Sequence, residues 1–296
     1  MMKCNLCGSE KQSVFDCVES FGYALIYYQC ERCGLVFQSA EQSQAGDPTF
    51  YAETYRKIYQ NSEMPTPKDL WVQEKRAAHL VMLVRKVLPE SPKRLLDIGA
   101  STGTLLAAFQ KAFGSQGVGV EPGDAYRAHA ESRGLAMVGS LEQLFKQKPE
   151  RFDLVSLIHV MEHLPEPVET LRRIRKELLS PDGLLLVEVP NFYAHDSYEL
   201  AHLSCFTPHT LKTVLSQAGF DIKGVLRHGK PRSALLNLYI TAFARPLPEG
   251  SLPPALTPER HVQRKRKMGL FYRRVVQKVL PHRAWLPLPE ETGVRD

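Results

Sequence analysis

The chain has 296 residues, a hydrophobic content of 43%, a formal net charge of +6 and six cysteines. That apolar content supplies a real core and excludes a disordered chain, and no run of 18 apolar residues exists to cross a bilayer. Nine Lys/Arg and no Asp/Glu lie between Arg260 and Arg283, so the basic excess belongs to the tail and does not make the body a nucleic-acid surface.

The start, MMKCNLCGSEKQ, lacks the apolar stretch of a signal peptide, so a cytoplasmic setting with reduced thiols is expected. CNLCG (Cys4, Cys7) and CERCG (Cys30, Cys33) then form two C-x-x-C pairs with 22 residues between them. Four thiolates satisfy tetrahedral zinc and leave no open position, which predicts a structural Zn2+. Gly8 and Gly34 follow the second cysteine of each pair and permit a tight turn toward the sulfurs. Cys17 and Cys205 have no such spacing and read as small apolar residues. Next, FYAETYRKIY places Tyr51, Tyr55 and Tyr59 one helical turn apart. Two readings stand: a stripe packed on the next domain, or a lid in which Tyr55 reaches a substrate. NSEMPTPKD (Asn61 to Asp69) reads as a linker, and Leu70, Ala77, Leu80, Val81, Val84 and Leu88 form one apolar helix face ending at Pro89.

From Lys93 strands and helices alternate. RLLDIG, GVGVEP, LAMVGS, FDLVSLI and LLLVEVP read as five strands. Between them lie the helices TLLAAFQKAF, DAYRAHAESRG and PVETLRRIRKELLSPDG, the last opened by Pro167 and followed by Gly183. A helix over TPHTLKTVLSQAGF and strands over DIKGVLRHG and LLNLYITAFARP follow. This predicts an α/β fold with a parallel sheet covered on both faces. The division is 1–62, 63–245 and 246–296: cysteine module with tyrosine-rich helix, α/β domain, and Pro-rich linker with basic amphipathic tail. In that tail Leu270, Phe271, Val275, Val279 and Leu280 alternate with Arg273, Arg274 and Lys278. Such a helix either lies on an anionic membrane or docks on the protein's own surface.

LLDIGASTGTLL carries Asp97, Gly99, Ser101 and Gly103 at the first strand-to-helix turn, where small residues let a ligand approach free backbone N–H groups. Glu121 closes the second strand, where a carboxylate can accept hydrogen bonds from a ribose. Together, LLDIGASTG, GVGVEP, FDLVSLIHVMEHLPEP and GLLLVEVPN resemble class I S-adenosylmethionine-dependent methyltransferases over roughly residues 70 to 245. The resemblance implies a Rossmann-like seven-stranded sheet whose last strand is antiparallel. It also implies cofactor contacts at Asp97, Gly99, Ser101, Gly103 and Glu121, with Ser140 and Leu141 bordering the adenine. With the cysteine module in front, the chain is similar to bacterial methyltransferases that include sugar C-methylating enzymes of glycan pathways. Those carry a Glu-His pair after the fifth strand; here YELAHLSCFTPHTL keeps His202 and Phe206 but has Ala201 at the apparent Glu position.

His159 to His163 spell H-x-x-E-H, the spacing of a zinc-protease helix. A buried strand runs straight into it and Pro165 and Pro167 follow, which leaves no room for that helix. The motif reads instead as a strand-end loop in which His159 borders the cofactor and Glu162 and His163 orient the loop or face the acceptor. Methyl transfer needs a positioned acceptor and often a base, for which a neutral histidine is suited. His202 ranks first, then His195, with His163 and Tyr55 as further candidates, while His209 reads as structural. The expected partner is a small-molecule or carrier-linked acceptor, foremost a sugar. The alternatives are an RNA-modifying methyltransferase, against which the body shows no basic-aromatic pattern, and a non-catalytic scaffold.

Overall fold

The computed structural model describes residues 2–20, 22–39, 43, 64–195 and 198–288. Tyr51, Tyr55 and Tyr59, and with them both readings of the tyrosine helix, lie outside these residues.

In chain order the elements are β1 (Gln12–Ser20), β2 (Tyr23–Cys30), β3 (Val36–Phe37), α1 (Pro67–Val87), β4 (Arg94–Ile98), α2 (Thr104–Phe113), β5 (Gln116–Val120) and α3 (Asp124–Ser132). Then come β6 (Ala136–Val138), α4 (Leu141–Gln147), β7 (Phe152–Ile158), α5 (Pro167–Arg173), β8 (Leu179–Pro190), β9 (Ser204–Cys205), α6 (Pro208–Gln217), β10 (Phe220–His228), β11 (Tyr239–Pro246), α7 (Val262–Val279) and α8 (Pro281–Ala284).

A seven-stranded sheet runs β10-β11-β8-β7-β4-β5-β6. Strands β4 to β8 pair in parallel, while β11 runs antiparallel to both β8 and β10. The seven-stranded sheet with an antiparallel strand near one edge is the predicted architecture. Strand order reverses between β4 and β7, and open α/β sheets bind ligands at such a switch point, outside the strand carboxyl ends. Apolar side chains fill both faces. Leu80, Val84, Leu95, Leu106, Phe109 and Leu154 pack on one side, and Leu96, Val155, Leu171, Val187, Leu211 and Phe220 on the other. Helix α1 starts where Thr66 and Asp69 form a capping box and buries Ala77, Leu80 and Val84.

One helix differs from its sequence reading. α5 becomes a π-type turn over Ile174–Leu178, and β8 begins at Leu179, four residues before the glycine expected to follow the helix. Leu179 is drawn into the ladder opposite Phe152, and Ser180 to Gly183 are an excursion before Leu184 resumes pairing opposite Leu154.

The second sheet, β1-β2-β3-β9, carries the cysteines, and its last strand comes from beyond β8: Val36 pairs with Cys205 and Phe37 with Ser204. The tail helix α7 docks on the protein by one face, burying Val262, Arg266, Arg273 and Val276. Among the described residues no helix is long and apolar enough to cross a membrane.

Candidate active site

The glycine-rich turn links β4 to α2. Gly99 and Ala100 N–H both donate to Val120 O at 2.9 Å, folding the turn over the end of β5. Gly99 has φ +74°, and a Cβ there would lie 2.4 Å from Val160 Cγ2, so only glycine fits against the β7 loop. Ser101 also adopts a left-handed φ of 52°, a conformation costly for a residue with a side chain. Gln73 of α1 holds it by donating to Ser101 Oγ at 3.2 Å. Gly103, the N-cap of α2, makes no side-chain cap, which leaves the helix N-terminus open toward the crevice.

Glu121 is buried and its carboxylate already braces this turn: Ser101 N–H donates to Oε2 at 2.9 Å and Gly123 N–H to Oε1 at 2.8 Å. Burial raises the Asp97 carboxyl to about 7, although the Ser156 hydroxyl donates to it at 2.7 Å and favours the anion. Ser140, exposed at the edge near Glu121, caps α4 by accepting from Gln143 N–H at 3.1 Å, with Leu141 half-buried beside it. A pocket with an uncapped helix end, small residues and an acid at the second strand fits the cofactor that the sequence implies.

Across the switch point, β7 ends in a single 3-10 turn over Met161–His163, so no helix carries His159 and His163 together. His159, with φ +57°, turns its ring between two carboxylates, Nδ1 3.2 Å from Glu162 Oε1 and Nε2 3.4 Å from Glu188 Oε1. Burial and Arg76 oppose its charge, yet Glu162 and Glu188 raise its pKa. Glu188 is fully buried in β8, where Arg76 Nε lies at 3.1 Å, His228 Nε2 at 3.3 Å, and Thr241 donates its hydroxyl at 2.9 Å. Burial works against this carboxylate, but His159, His228 and Arg76 hold it well below the usual range. Glu162 stays ionised too: burial opposes it, and His159, His163 and His202 bring it down to about 2.

His202 and His163 stack with ring centroids 5.0 Å apart. His163 Nδ1 lies 2.8 Å from Ala201 O; a carbonyl only accepts, so Nδ1 carries a proton. His202 Nε2 lies 3.3 Å from Glu199 Oε2. Glu199, two residues before Ala201, thus brings a carboxylate to His202. Burial and the neighbouring His163 lower His202 to about 3, keeping it neutral, while burial raises Glu199. Glu162, His163 and His202 have ligand atoms within 4.8 Å of one another, and Glu162 Oε2 is buried without a hydrogen-bond partner among the described residues. His195 sits half-buried in the loop after β8, its N–H bonded to Asn191 O, and exerts its charge on Glu199. His209 lies in the first turn of α6 with Nε2 2.8 Å from Thr257 O, away from this cluster. Tyr55 lies outside the described residues.

The cysteine module holds this loop in place. Gln38, nearly fully buried, donates through Nε2 to His202 O at 2.8 Å, Glu199 O at 2.9 Å and Tyr27 Oη at 3.0 Å. Tyr27 donates to Glu199 O as well, and Asn5 Nδ2 to Leu203 O. Behind them, Cys4, Cys7, Cys30 and Cys33 converge, with Sγ pairs 3.6 Å (Cys4–Cys33) and 3.5 Å (Cys7–Cys30) apart and all four within 4.8 Å. Gly8 and Gly34 N–H donate to Cys4 O and Cys30 O in left-handed turns. The four-thiol donor set fits a tetrahedral metal.

Several of these residues were not found from the sequence. Glu188 had a signal, a lone acid inside the apolar strand LLLVEVP, and Glu199 is a near neighbour of a flagged histidine. Arg76, His228, Gln38 and Gln73 had none.

The chain spans about half the length of the curated relatives it matches. It is 33% identical over 110 residues to a ubiquinone biosynthesis O-methyltransferase of Actinobacillus pleuropneumoniae, covering 33% of this chain and 46% of that protein. It is 29% identical over 146 residues to a malonyl-[acyl-carrier protein] O-methyltransferase of Halalkalibacterium halodurans, covering 44% and 54%. Among solved structures, a Burkholderia thailandensis 1,6-didemethyltoxoflavin-N1-methyltransferase with bound S-adenosylhomocysteine is 22% identical, covers 61% of this chain and 82% of that one, and has a TM-score of 0.48. The family described as a methyltransferase domain matches residues 72–223, half of the chain, and the protein belongs to that family.

Proposed function

We propose that the protein transfers a methyl group from S-adenosylmethionine to a hydroxyl or enolisable carbon of a small molecule, foremost a sugar on a nucleotide or glycan carrier, with His202 as general base. The observation that carries this reading is the Glu199–His202–Glu162 arrangement beyond the carboxyl ends of the parallel strands. The cofactor supplies an electrophilic methyl group when bound. The protein's part is to orient the acceptor and hold its proton. His202, neutral through burial, can accept that proton, and the ionised Glu162 stabilises the resulting imidazolium, as its charge raises the His202 pKa. The sugar preference rests on the likeness to C-methylating enzymes and on Glu199 meeting His202. Relatives named as O-methyltransferases are equally compatible with transfer to oxygen.

The four cysteines hold a structural zinc in this reading, and metal analysis should find one zinc per chain. The test of function is cofactor turnover against nucleotide-sugars, keto sugars, glycans and phenolic acceptors with mass readout. No methylated product from any class, by protein that binds the cofactor in calorimetry, would sink it. A second reading, metal activation of the acceptor at Glu162, His163 and His202, rests on their 4.8 Å convergence and on Glu162 Oε2, which meets no hydrogen-bond partner among the described residues. Turnover that a chelator abolishes while the cysteine-bound zinc remains would favour it.

A further inference from the structure

Helix α7 has a docked face and an exposed apolar face. The inner face buries Val262, Arg266, Arg273 and Val276. Arg266 donates to His195 O at 3.0 Å and also reaches Phe192 O, and Arg273 donates to Ala194 O at 3.0 Å. A Cβ on Gly269 would lie 1.9 Å from Tyr193 O, so the helix backbone itself presses on the loop after β8. The outer face carries Met268 at 61% exposure, Phe271 at 67%, Tyr272 at 53%, Val275 at 42% and Val279 at 66%. At 3.6 residues per turn these five side chains form one stripe about 100° wide. A stripe of large apolar side chains is a costly thing to leave in water without a partner.

The charges around it identify the partner. Lys267, Arg274 and Lys278, all exposed, follow one edge of the stripe, and Arg264 heads it. No Asp or Glu occurs from Arg260 to Pro289. Cations along the edge of an apolar stripe suit a helix lying in a lipid interface, where the stripe enters the acyl boundary and the cations meet phosphate headgroups. A nucleic acid would need its cations where the stripe is. A second copy of this chain would set cationic rim against cationic rim. We propose that the outer face of α7 seats the protein on an anionic membrane surface. The helix is fixed to the loop that carries His195 and leads to Glu199 and His202, so the seat and the acceptor side move as one body.

The test uses full-length, zinc-loaded protein and sedimentation with vesicles of phosphatidylcholine alone or mixed with phosphatidylglycerol. Binding is expected to the mixed vesicles only and to weaken as salt rises. One basic residue is worth about 1 kcal/mol near an anionic surface, about fivefold, so Lys267→Gln/Arg274→Gln/Lys278→Gln should weaken binding on the order of a hundredfold. Phe271→Ser should weaken it about tenfold or more. All four side chains are exposed, so the variants should keep the parent's cofactor affinity and melting temperature, which separates lost binding from lost fold. Equal binding to both vesicle types, no binding to either, or binding indifferent to these variants overturns the proposal. So does a solution dimer that Phe271→Ser dissolves, or RNA binding that outcompetes the vesicles. None of these readouts depends on methyl transfer.

Discussion

Gln38→Met should separate cofactor binding from catalysis. The substitution keeps side-chain length and removes the amide that donates to His202 O, Glu199 O and Tyr27 Oη from a nearly fully buried site. Glu199 O keeps the Tyr27 hydroxyl as a donor, so the heavier loss falls on His202. Losing two N–H donors to buried acceptors costs about 2–4 kcal/mol, set against a typical total of about 5–15 kcal/mol. The variant therefore folds, with a melting temperature lower by roughly 5–10 °C. The Gln38 amide bonds to Tyr27, Glu199 and His202 and not, among the described residues, to the glycine-rich turn, so calorimetry should return the parent's affinity for S-adenosylmethionine. Turnover should fall at least tenfold, because a shift of about 1 Å in a catalytic group costs on the order of a hundredfold. Parental turnover at a temperature where the variant is fully folded would show that the cysteine module does not set the position of His202.

Asp97→Asn should change how stability depends on pH. Burial raises the folded-state pKa of Asp97 to about 7 from 3.8, so its contribution is complete below about pH 4 and is lost as pH rises toward 7. The variant, lacking that loss, should match the parent near pH 4 and exceed it by a few kcal/mol above pH 7, as melting curves across pH will read; a constant offset would refute the assignment. Ser101→Gly should relieve the left-handed strain at the cost of one hydrogen bond from Gln73, for a net gain below about 1 kcal/mol and unchanged cofactor affinity. A clear loss of stability would mean the serine side chain matters more than the backbone. Glu121→Ala should weaken cofactor binding by roughly tenfold to a hundredfold in calorimetry, since it removes a carboxylate acceptor and frees the Ser101 and Gly123 N–H groups. Glu199→Gln should lower turnover at least tenfold with cofactor affinity intact; an unchanged rate would remove Glu199 from the proton path.

Residues whose role is local were legible in the sequence. The alternation from Lys93 onward follows from periodicity, and Gly99, Gly103 and Glu121 declare themselves because a tight turn and a strand-end acid need those types at those places. The two C-x-x-C-G turns form within a few residues, and spacing alone found them. The active cluster was only half visible. His202 and His163 were named, but the carboxylate meeting His202 comes from Glu199, and a loop obeys no fixed side-chain period from which that approach could be read. Glu188 with Arg76, His159 and His228 brings together residues from α1, the β7 loop, β8 and β10, which is tertiary information. The helix after Pro167 read too long because local propensity cannot see Phe152 pairing with Leu179. The tail's two readings proved not to exclude each other, since one face of α7 is docked and another is bare.

Strand β9 has a consequence for the order of events at the ribosome. Cys4 to Cys33 are made close together, long before Ser204 and Cys205. The sheet beside them stays one strand short until Ser204 and Cys205 arrive, about 170 residues later in synthesis, to pair with Phe37 and Val36. The glycine-rich turn at residues 97–103 leaves the exit tunnel well before that pairing can form. The nascent chain thus carries its two cysteine pairs early and its glycine-rich turn next, and fixes the position of His202 only when the first-made and later-made segments meet.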